Sequence, residues 1–227
     1  MIHAPVVSTK DRILDAAEHL FAEKGFAETS LRDITAEAGA NLAAVNYHFQ
    51  SKEALIQAVL ARRVGPVNAE RVAMLDHFES VAAAQGRAVA VEDILRAFFA
   101  PVLQLLKEPA GARFARLFGR VYVEPGDLFE RFFRSQLAAV AARFFTALER
   151  AVPQLSHTDR LWRMHFALGV MGHTIAGMHH FAAISGGVCD TADIDCLTAR
   201  LISFITAGFS APAIPGSKGE SRCNGSC

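Results

Sequence analysis

Apolar residues recur at helical spacing along nearly the whole chain, and no alternating segment typical of a β-strand interrupts them. The first such stretch forms one apolar face from Ile13, Leu14, Ala17, Leu20 and Phe21. Ser8 or Thr9 can cap this helix and Gly25 can end it. Because strands need a period of two and none is found, the sequence predicts an all-α fold.

Capping residues, glycines and prolines divide the chain into predicted helices. Their expected bounds are 9–24, 31–38, 42–48, 52–63, 67–84, 91–107, 110–122, 127–151, 157–184 and 191–209. The Gly65-Pro66 pair predicts a boundary between an N-terminal helix-turn-helix domain, 1–64, and a helical effector-binding and dimerisation domain, 65–210. Residues 211–227 are rich in Gly, Ser and Pro without an apolar period, which predicts a disordered tail.

Composition narrows the class of protein. The chain has 227 residues, 52% hydrophobic and 20% charged, but no charge-free run of about 18 residues that would span a membrane. No basic leader precedes an apolar stretch at the N-terminus, so we expect a cytoplasmic protein without a membrane partner. The 4 cysteines all follow residue 188, which favours reduced thiols over a disulfide framework. We expect no catalytic site, no metal and no cofactor.

Two short helices, 31–38 and 42–48, flank a tight turn at residues 39–41. This is the helix-turn-helix pattern, in which the first helix braces against DNA and the second enters the major groove. Helix pairs of this kind also occur in proteins that do not bind DNA, so the turn is weak evidence when taken alone.

A longer pattern supports the DNA-binding interpretation. The segment from Ile13 to Leu55 resembles the N-terminal domain of TetR-family regulators, most clearly in "DITAEAG" from Asp33, "YHF" from Tyr47 and "SKEAL" from Ser51. The resemblance implies a DNA-binding transcriptional regulator that acts as a homodimer on double-stranded DNA and responds to a small molecule.

Residue chemistry assigns roles within this motif. The base-reading candidates on or beside the second helix are Leu42, Ala43, Ala44 and Asn46, because an amide can bond a base edge and a methyl can contact thymine. The phosphate-contact candidates, which carry polar tips or begin a helix, are Thr29, Ser30, Tyr47, His48 and Lys52. Arg32 is assigned to DNA without a choice between phosphate and base, and a solvated arginine is the alternative.

The net charge of residues 1–64 limits how strongly this segment can bind DNA. Residues 1–64 hold 7 Lys or Arg against 8 Asp or Glu, and the whole chain has a formal net charge of +0. Phosphate neutralisation supplies much of the affinity of DNA-binding proteins. We therefore expect a dimer that presents two reading helices one duplex turn apart, roughly 34–36 Å, to a palindromic operator.

The C-terminal helices predict dimerisation and ligand binding. Helices 157–184 and 191–209 carry more apolar positions than one core face requires, which favours a four-helix dimer interface, with packing inside one chain as the alternative. Many phenylalanines are compatible with an apolar pocket or with an ordinary core. The residues singled out for effector binding, mostly polar groups in apolar helices, are Arg113, Arg116, Phe118, Arg120, Arg163, Phe166 and His173.

A narrower resemblance concerns the effector. "FARLFGRVYVEPGDLFERFF" and "LWRMHFALGVMGHTIAGM", with "NLAAVNYHF" in the second helix, look like the PsrA-type fatty-acid-responsive branch of the TetR family. This resemblance implies a repressor released by a long-chain fatty acid or its acyl-CoA. A regulator of efflux or catabolism that responds to another aromatic or apolar molecule is the alternative.

Two further classes remain as rivals. A helical-bundle metalloenzyme would use His165, His173, His179 and His180, but the Glu-x-x-His pairs of carboxylate metal bundles are missing. A metal or redox sensor would use Cys223 and Cys227, which have no histidine nearby.

Overall fold

The computed structural model describes residues 8–108, 111–123 and 127–213, and every regular element in these ranges is a helix. This confirms the all-α prediction. The α-helices are α1 Thr9–Lys24, α2 Leu31–Ala38, α3 Leu42–Phe49, α4 Lys52–Ala84, α5 Val91–Gln104, α6 Gly111–Val123, α7 Leu128–Phe132, α8 Ala138–Ala151, α9 His157–Ile184 and α10 Ile194–Ser210. Most of the predicted tail, residues 214–227, lies outside the described residues.

The predicted helix break at Gly65-Pro66 is wrong, since α4 runs through both residues. Proline cannot donate a backbone hydrogen bond, and its ring crowds the preceding residue's Cβ. Gly65 has no Cβ, which removes part of that clash. Val64 and Val67, on either side of the pair, are 4% and 3% exposed, so packing holds the helix together where propensity would end it.

Other bounds differ where tertiary packing or capping decides them. The single helix predicted at 127–151 is divided into α7, a π-helical segment at Phe133–Leu137, and α8. The last helix begins at Ile194 rather than 191, because the Asp193 side chain caps it by accepting a hydrogen bond from the Cys196 N–H.

The chain divides into two compact units, Met1–Ala69 with Leu105–Ala138, and Glu70–Gln104 with Ala139–Cys227. In the first unit, α1 packs against α2, α3 and α6. Its side chains Ile13, Ala17 and Phe21 are fully buried. The bounds of both units therefore differ from the predicted 1–64 and 65–210 domains, because the chain returns to the N-terminal helices after residue 104.

In the second unit, α10 packs against α5 and α9 around a core rich in phenylalanine. Phe98 contacts Phe144 edge-on, with ring centroids 5.0 Å apart. The buried Arg71 guanidinium lies 4.2 Å from the centroid of the Phe98 ring, and its Nε donates to the Phe98 carbonyl at 2.8 Å. Arg143 of α8 pairs with Glu79 of α4 and lowers the pKa of that carboxyl through its hydrogen bonds.

Candidate nucleic-acid interface

A tight turn joins α2 to α3, as the sequence predicts. Ser30 caps α2 by accepting from the Asp33 N–H at 3.1 Å, and the Asp33 carboxylate accepts from the Ser30 N–H at 3.0 Å. The Ser30 hydroxyl and the Ser30 N–H both donate to the Asp33 carboxylate, and these bonds lower the pKa of Asp33. Gly39 ends α2 at φ 57°, a left-handed backbone that glycine adopts easily. Asn41 then caps α3 by accepting from the Ala44 N–H at 2.8 Å.

One side of the α2–α3 helix pair is buried, and this burial determines which side of the two helices faces solvent. Ile34 of α2 and Val45 of α3 are both 0% exposed, and α1 packs against both helices. Phe49, one helical turn beyond Val45, is 5% exposed. Burying these apolar groups fixes α3 against the unit, so its opposite face is left to contact a partner.

That opposite face carries the predicted base-reading residues. Ala43 and Asn46 are exposed, and Leu42 is 46% exposed. Ala44 is half-buried. This face presents an amide and methyl groups together, the groups that read donor and acceptor edges and thymine methyls in the major groove.

The predicted phosphate contacts at the end of α3 are accessible. Tyr47 is 83% exposed, and its ring lies 5.0 Å from the half-buried His48 ring in an edge-on arrangement. An exposed phenol whose ring is steadied in this way can donate to a phosphate oxygen.

The structure corrects the prediction for Thr29. Its side chain is 0% exposed, and its hydroxyl donates to the Gly25 carbonyl at 2.7 Å and to the Leu20 carbonyl at 3.2 Å. Thr29 therefore ties the end of α1 to the start of α2 and does not reach DNA. Ser30 is exposed, but its hydroxyl donates to the Asp33 carboxylate at 2.7 Å, so its main role here is to cap α2.

Two predicted cations differ in their surroundings. Arg32 is exposed, and within the described ranges no carboxylate pairs with its guanidinium. Lys52 is half-buried and its Nζ donates to the Ala27 carbonyl at 3.2 Å. An ammonium has three donors, so this bond holds Lys52 at the start of α4 and leaves it able to bind a phosphate.

Sequence reasoning missed a buried ion cluster that anchors α1 to α4. Glu18 is 2% exposed and accepts hydrogen bonds from Arg62 Nη2 at 2.5 Å and Arg63 Nη2 at 2.7 Å. Burial opposes ionisation, but the hydrogen bonds from Arg63 and Arg62 prevail and lower the pKa of Glu18. Arg62 also pairs with the exposed Asp15 at 2.7 Å. The signal in the sequence was a carboxylate between apolar neighbours on the buried face of α1.

A second missed feature is the sharp turn from α3 into α4. Gln50 has φ 69° and ψ −41°, a conformation that non-glycine residues rarely adopt. The Ser51 N–H donates to the Phe49 carbonyl at 2.8 Å, which closes a three-residue γ-turn around Gln50. Strained backbone at Gln50 therefore sets the direction in which α4 leaves α3.

The predicted effector residues on α6 lie in the first unit. Arg116 is 54% exposed and pairs with Glu23 of α1 at 3.0 Å, whereas Arg113 is half-buried. The side chains of Phe118 and Arg120 lie outside the described residues. The helices α6 and α1 pack together and share the Arg116–Glu23 ion pair.

The prediction that Arg163 binds the effector is corrected. Its Nη1 donates to the carbonyls of Gly208 at 2.9 Å, Phe209 at 2.7 Å and Ala211 at 2.8 Å, and its Nη2 donates to Pro212 at 3.0 Å. Gly208 and Phe209 lie in the last turn of α10, where carbonyls have no partner within the helix, and Ala211 and Pro212 follow its end. Arg163 therefore caps the C-terminus of α10.

Phe166 lies in a surface groove between α9 and α10. The groove holds about 250 Å³ and is lined by Arg163, Phe166, Ala167, Val170, Phe204, Ile205, Ala207, Gly208 and Phe209. Phe166 and Phe204 are 60% and 66% exposed, so the groove opens to solvent. His173 is exposed on α9 and is not among the lining residues.

The exposed apolar side chains continue along α9. Trp162 stacks on Phe166 with ring centroids 5.7 Å apart and is 56% exposed, while Ile184 is 81% exposed. The small residues Gly169 and Gly172 lie between them in sequence, and apart from the adjacent residues and backbone of α9 itself, no described atom lies within 4 Å of a Cβ built on either one. This face can therefore accept close approach of another surface.

The described residues contain no group of three His, Cys, Asp or Glu side chains that could hold a metal ion. None of the described helices is long and apolar enough to cross a membrane. The His179 side chain, Cys223 and Cys227 lie outside the described part of the chain.

Two family models match this chain. Residues 13–59 match the model described as "Bacterial regulatory proteins, tetR family", and residues 96–208 match "Tetracyclin repressor-like, C-terminal domain". The first match contains α2, the turn and α3. The second begins in α5 and ends in α10, so together the two models account for most of the chain.

The similarity to an individual protein covers a short stretch of this chain. The probable HTH-type transcriptional regulator YttP of Bacillus subtilis is 45% identical over 51 residues, which are 22% of this chain and 25% of that relative. The matched stretch thus spans about a quarter of YttP.

Solved structures extend the similarity in fold. The fatty acid degradation regulator FadR from Bacillus halodurans superposes with a TM-score of 0.58 at 14% identity, covering 92% of this chain and 98% of that one. SmeT, the repressor of the Stenotrophomonas maltophilia multidrug efflux pump SmeDEF, gives a TM-score of 0.55 at 22% identity, covering 88% and 90%. At these identities the similarity concerns the fold alone.

Proposed function

Because this chain belongs to the TetR family of bacterial regulatory proteins, we propose that it is a DNA-binding transcriptional regulator, not an enzyme, and that α3 reads its operator. The exposed face of α3 carries this proposal: Ala43, Asn46 and Tyr47 face solvent while Val45 is fully buried. A DNA partner implies that the protein acts in the cytoplasm.

The contacts divide by chemistry. Asn46 and the first turn of α3, Leu42–Ala44, read base edges, while Tyr47, His48 and Lys52 bind phosphates and Arg32 contacts either a phosphate or a base. Replacing Asn46 with Ala is expected to change sequence preference, since each well-made base contact contributes about 1–3 kcal/mol of discrimination. Replacing Tyr47 with Ala is expected to weaken binding to operator and unrelated DNA alike.

The proposed active form is a homodimer through α9 and α10. In one protomer, Trp162 stacks on Phe166, and Phe166 and Phe204 line the same groove; all three side chains are exposed. Such an exposed apolar surface is unfavourable in water unless another surface covers it. A second copy would cover the same face by two-fold symmetry and present two reading helices to a palindromic operator. Phe204→Glu is expected to give monomers in analytical ultracentrifugation, whereas Ser203→Glu, at an exposed neighbour, is the matched charge control.

The proposed effector is apolar, and the PsrA-type resemblance of the α6–α7 and α9 segments favours a long-chain fatty acid or its acyl-CoA. Arg163 is excluded as the head-group contact because its donors bind the end of α10. Arg113 on α6 remains the proposed cation for a carboxylate. Binding there would displace α6, and with it α1, so that the population of dimers able to hold two half-sites falls.

The experiment is binding of the purified protein to the DNA upstream of its own gene, with and without oleoyl-CoA and a long-chain free fatty acid. Release by either lipid from the wild type, but not from Arg113→Gln, supports the lipid-responsive repressor. Specific DNA binding that neither lipid disturbs would support the proposed regulator but contradict the proposed lipid effector. The alternative would then be a regulator of efflux or catabolism that responds to another aromatic or apolar molecule. Absence of specific DNA binding contradicts the proposed function.

A further inference from the structure

The helix-turn-helix segment has few positive charges available for DNA. Residues 1–64, which contain α1, α2 and α3, hold 7 Lys or Arg. The structure shows that Arg62 and Arg63 are both bonded to Glu18 and are 27% and 26% exposed. Their charges serve the anchor between α1 and α4, so phosphate binding must use the remaining cations.

Arg12, near the start of α1, lies beside the helix-turn-helix. Its Nη1 is 3.6 Å from the position that a Cβ on Gly39 would occupy. Gly39 ends α2, and the Asn41 cap that begins α3 follows two residues later. The Arg12 guanidinium is therefore next to the turn that leads into the reading helix.

The surroundings of Arg12 leave its charge accessible. The side chain is exposed, and its Nη2 makes a long hydrogen bond of 3.4 Å to the neutral Thr9 hydroxyl. In the described ranges, the nearest acidic residues on α1 do not pair with it: Asp11 accepts from Ser8, and Asp15 pairs with Arg62. A guanidinium offers a fork of donors that fits two phosphate oxygens at once.

We infer that Arg12 is an additional contact to the DNA backbone, binding a phosphate at the edge of the groove that α3 enters. This inference rests on the proposed function. It explains how a domain with a balance of charges close to zero gains a cation beside the turn that leads into the reading helix. It also assigns a role to a residue outside the helix-turn-helix motif itself.

The test measures the dissociation constant against KCl concentration for Arg12→Gln, Arg12→Lys and the wild type, on the upstream DNA and on a duplex of unrelated sequence. Each phosphate contact contributes about 0.9 to the slope of log affinity against log salt. Arg12→Gln is expected to make the slope of log affinity against log salt less steep, by about 0.9 for each bound protomer, on both duplexes. Arg12→Lys should keep the wild-type slope with weaker binding, because an ammonium contacts one oxygen at a time.

Arg150→Gln is the matched control, since it removes one exposed arginine from α8 in the second unit and should leave the slope unchanged. An Arg12→Gln slope equal to that of the wild type and of Arg150→Gln overturns the inference while the proposed function stands. If instead the wild type shows no salt-dependent binding to either duplex, both are overturned. Arg12→Ala repeats the test should Arg12→Gln fail to fold.

Discussion

Glu18 and Arg63 form a bidentate ion pair between α1 and α4: Arg63 Nη2 donates to Glu18 Oε1 at 2.7 Å, and Arg63 Nε donates to Oε2 at 3.0 Å. Arg62 donates to the same carboxylate from the preceding position of α4. Because Glu18 is 2% exposed, its charge depends on these two arginines for the hydrogen bonds that water would otherwise supply. This cluster fixes the helix that supports the reading helix.

Glu18→Gln is expected to lower the free energy of unfolding by about 2 kcal/mol, because it removes the charge that compensates two partly buried arginines. Urea unfolding followed by circular dichroism measures the change. Asp15→Asn is the control: Asp15 is 64% exposed and pairs with Arg62 alone, so its loss should cost less than about 1 kcal/mol. Equal losses in the two variants would contradict the role assigned to burial.

The free energy of unfolding should fall in acid, partly because of the Glu18 carboxylate. Burial raises the pKa of Glu18, but the combined hydrogen bonds from Arg63 and Arg62 lower it by more, so the net effect is a pKa below the ordinary value of a glutamate. A carboxyl group whose pKa is lowered on folding contributes its full stabilisation above the unfolded pKa and loses it as the pH falls through the folded pKa. The free energy of unfolding is thus expected to decline below about pH 4.5.

Glu18→Gln should make that decline shallower without abolishing it, since Arg143 also lowers the pKa of Glu79. The measurement is urea unfolding at a series of pH values for both proteins. Parallel curves for the variant and the wild type would show that Glu18 does not contribute.

Thr29→Val should destabilise the protein and leave DNA binding intact. The variant keeps the shape of the side chain but removes the hydroxyl that bonds the Gly25 and Leu20 carbonyls, at a cost of about 1–2 kcal/mol. Thr29→Ser, which keeps the hydroxyl, is the control and should cost less. The salt dependence of DNA binding should match the wild type in both, and a smaller slope in Thr29→Val would restore Thr29 as a phosphate contact.

Gln50→Gly is expected to stabilise the protein. Strain at a non-glycine residue in this backbone region costs about 1–3 kcal/mol, more than the roughly 0.5–1 kcal/mol of extra chain entropy that glycine loses on folding. Thermal unfolding should show a higher Tm. Gln50→Ala keeps a Cβ, so its Tm should not rise. Equal Tm values for the two variants would contradict the explanation by backbone strain at residue 50.

Arg163→Met should cost about 2 kcal/mol by leaving the last carbonyls of α10 without their donor, and should not change the response to an effector. Chemical unfolding measures the first effect and ligand-dependent release of DNA the second. Arg150→Met, on the exposed face of α8, should stay within about 0.5 kcal/mol of the wild type. Loss of the effector response in Arg163→Met alone would return this residue to the ligand site.

The sequence by itself determined the helix-turn-helix, because the residues that define it act locally. Ser30, Gly39 and Asn41 act through the backbone of the next few residues, so their identities predict where α2 and α3 begin and end. The alternation of buried Val45 with exposed Asn46 and Tyr47 follows from helical geometry in the same way. For this reason the bounds of α2 and the outward face of α3 agree with the prediction.

Tertiary structure alone decided what the ambiguous polar side chains do. Glu18 and Arg163 are polar residues in apolar helices whose partners the sequence does not name, and those partners lie up to 49 positions away along the chain. Val64 and Val67 likewise keep α4 continuous through Pro66 because they are buried by other elements. A sequence specifies which groups can donate, accept or carry charge, but which partner each one meets depends on long-range packing that no local pattern records.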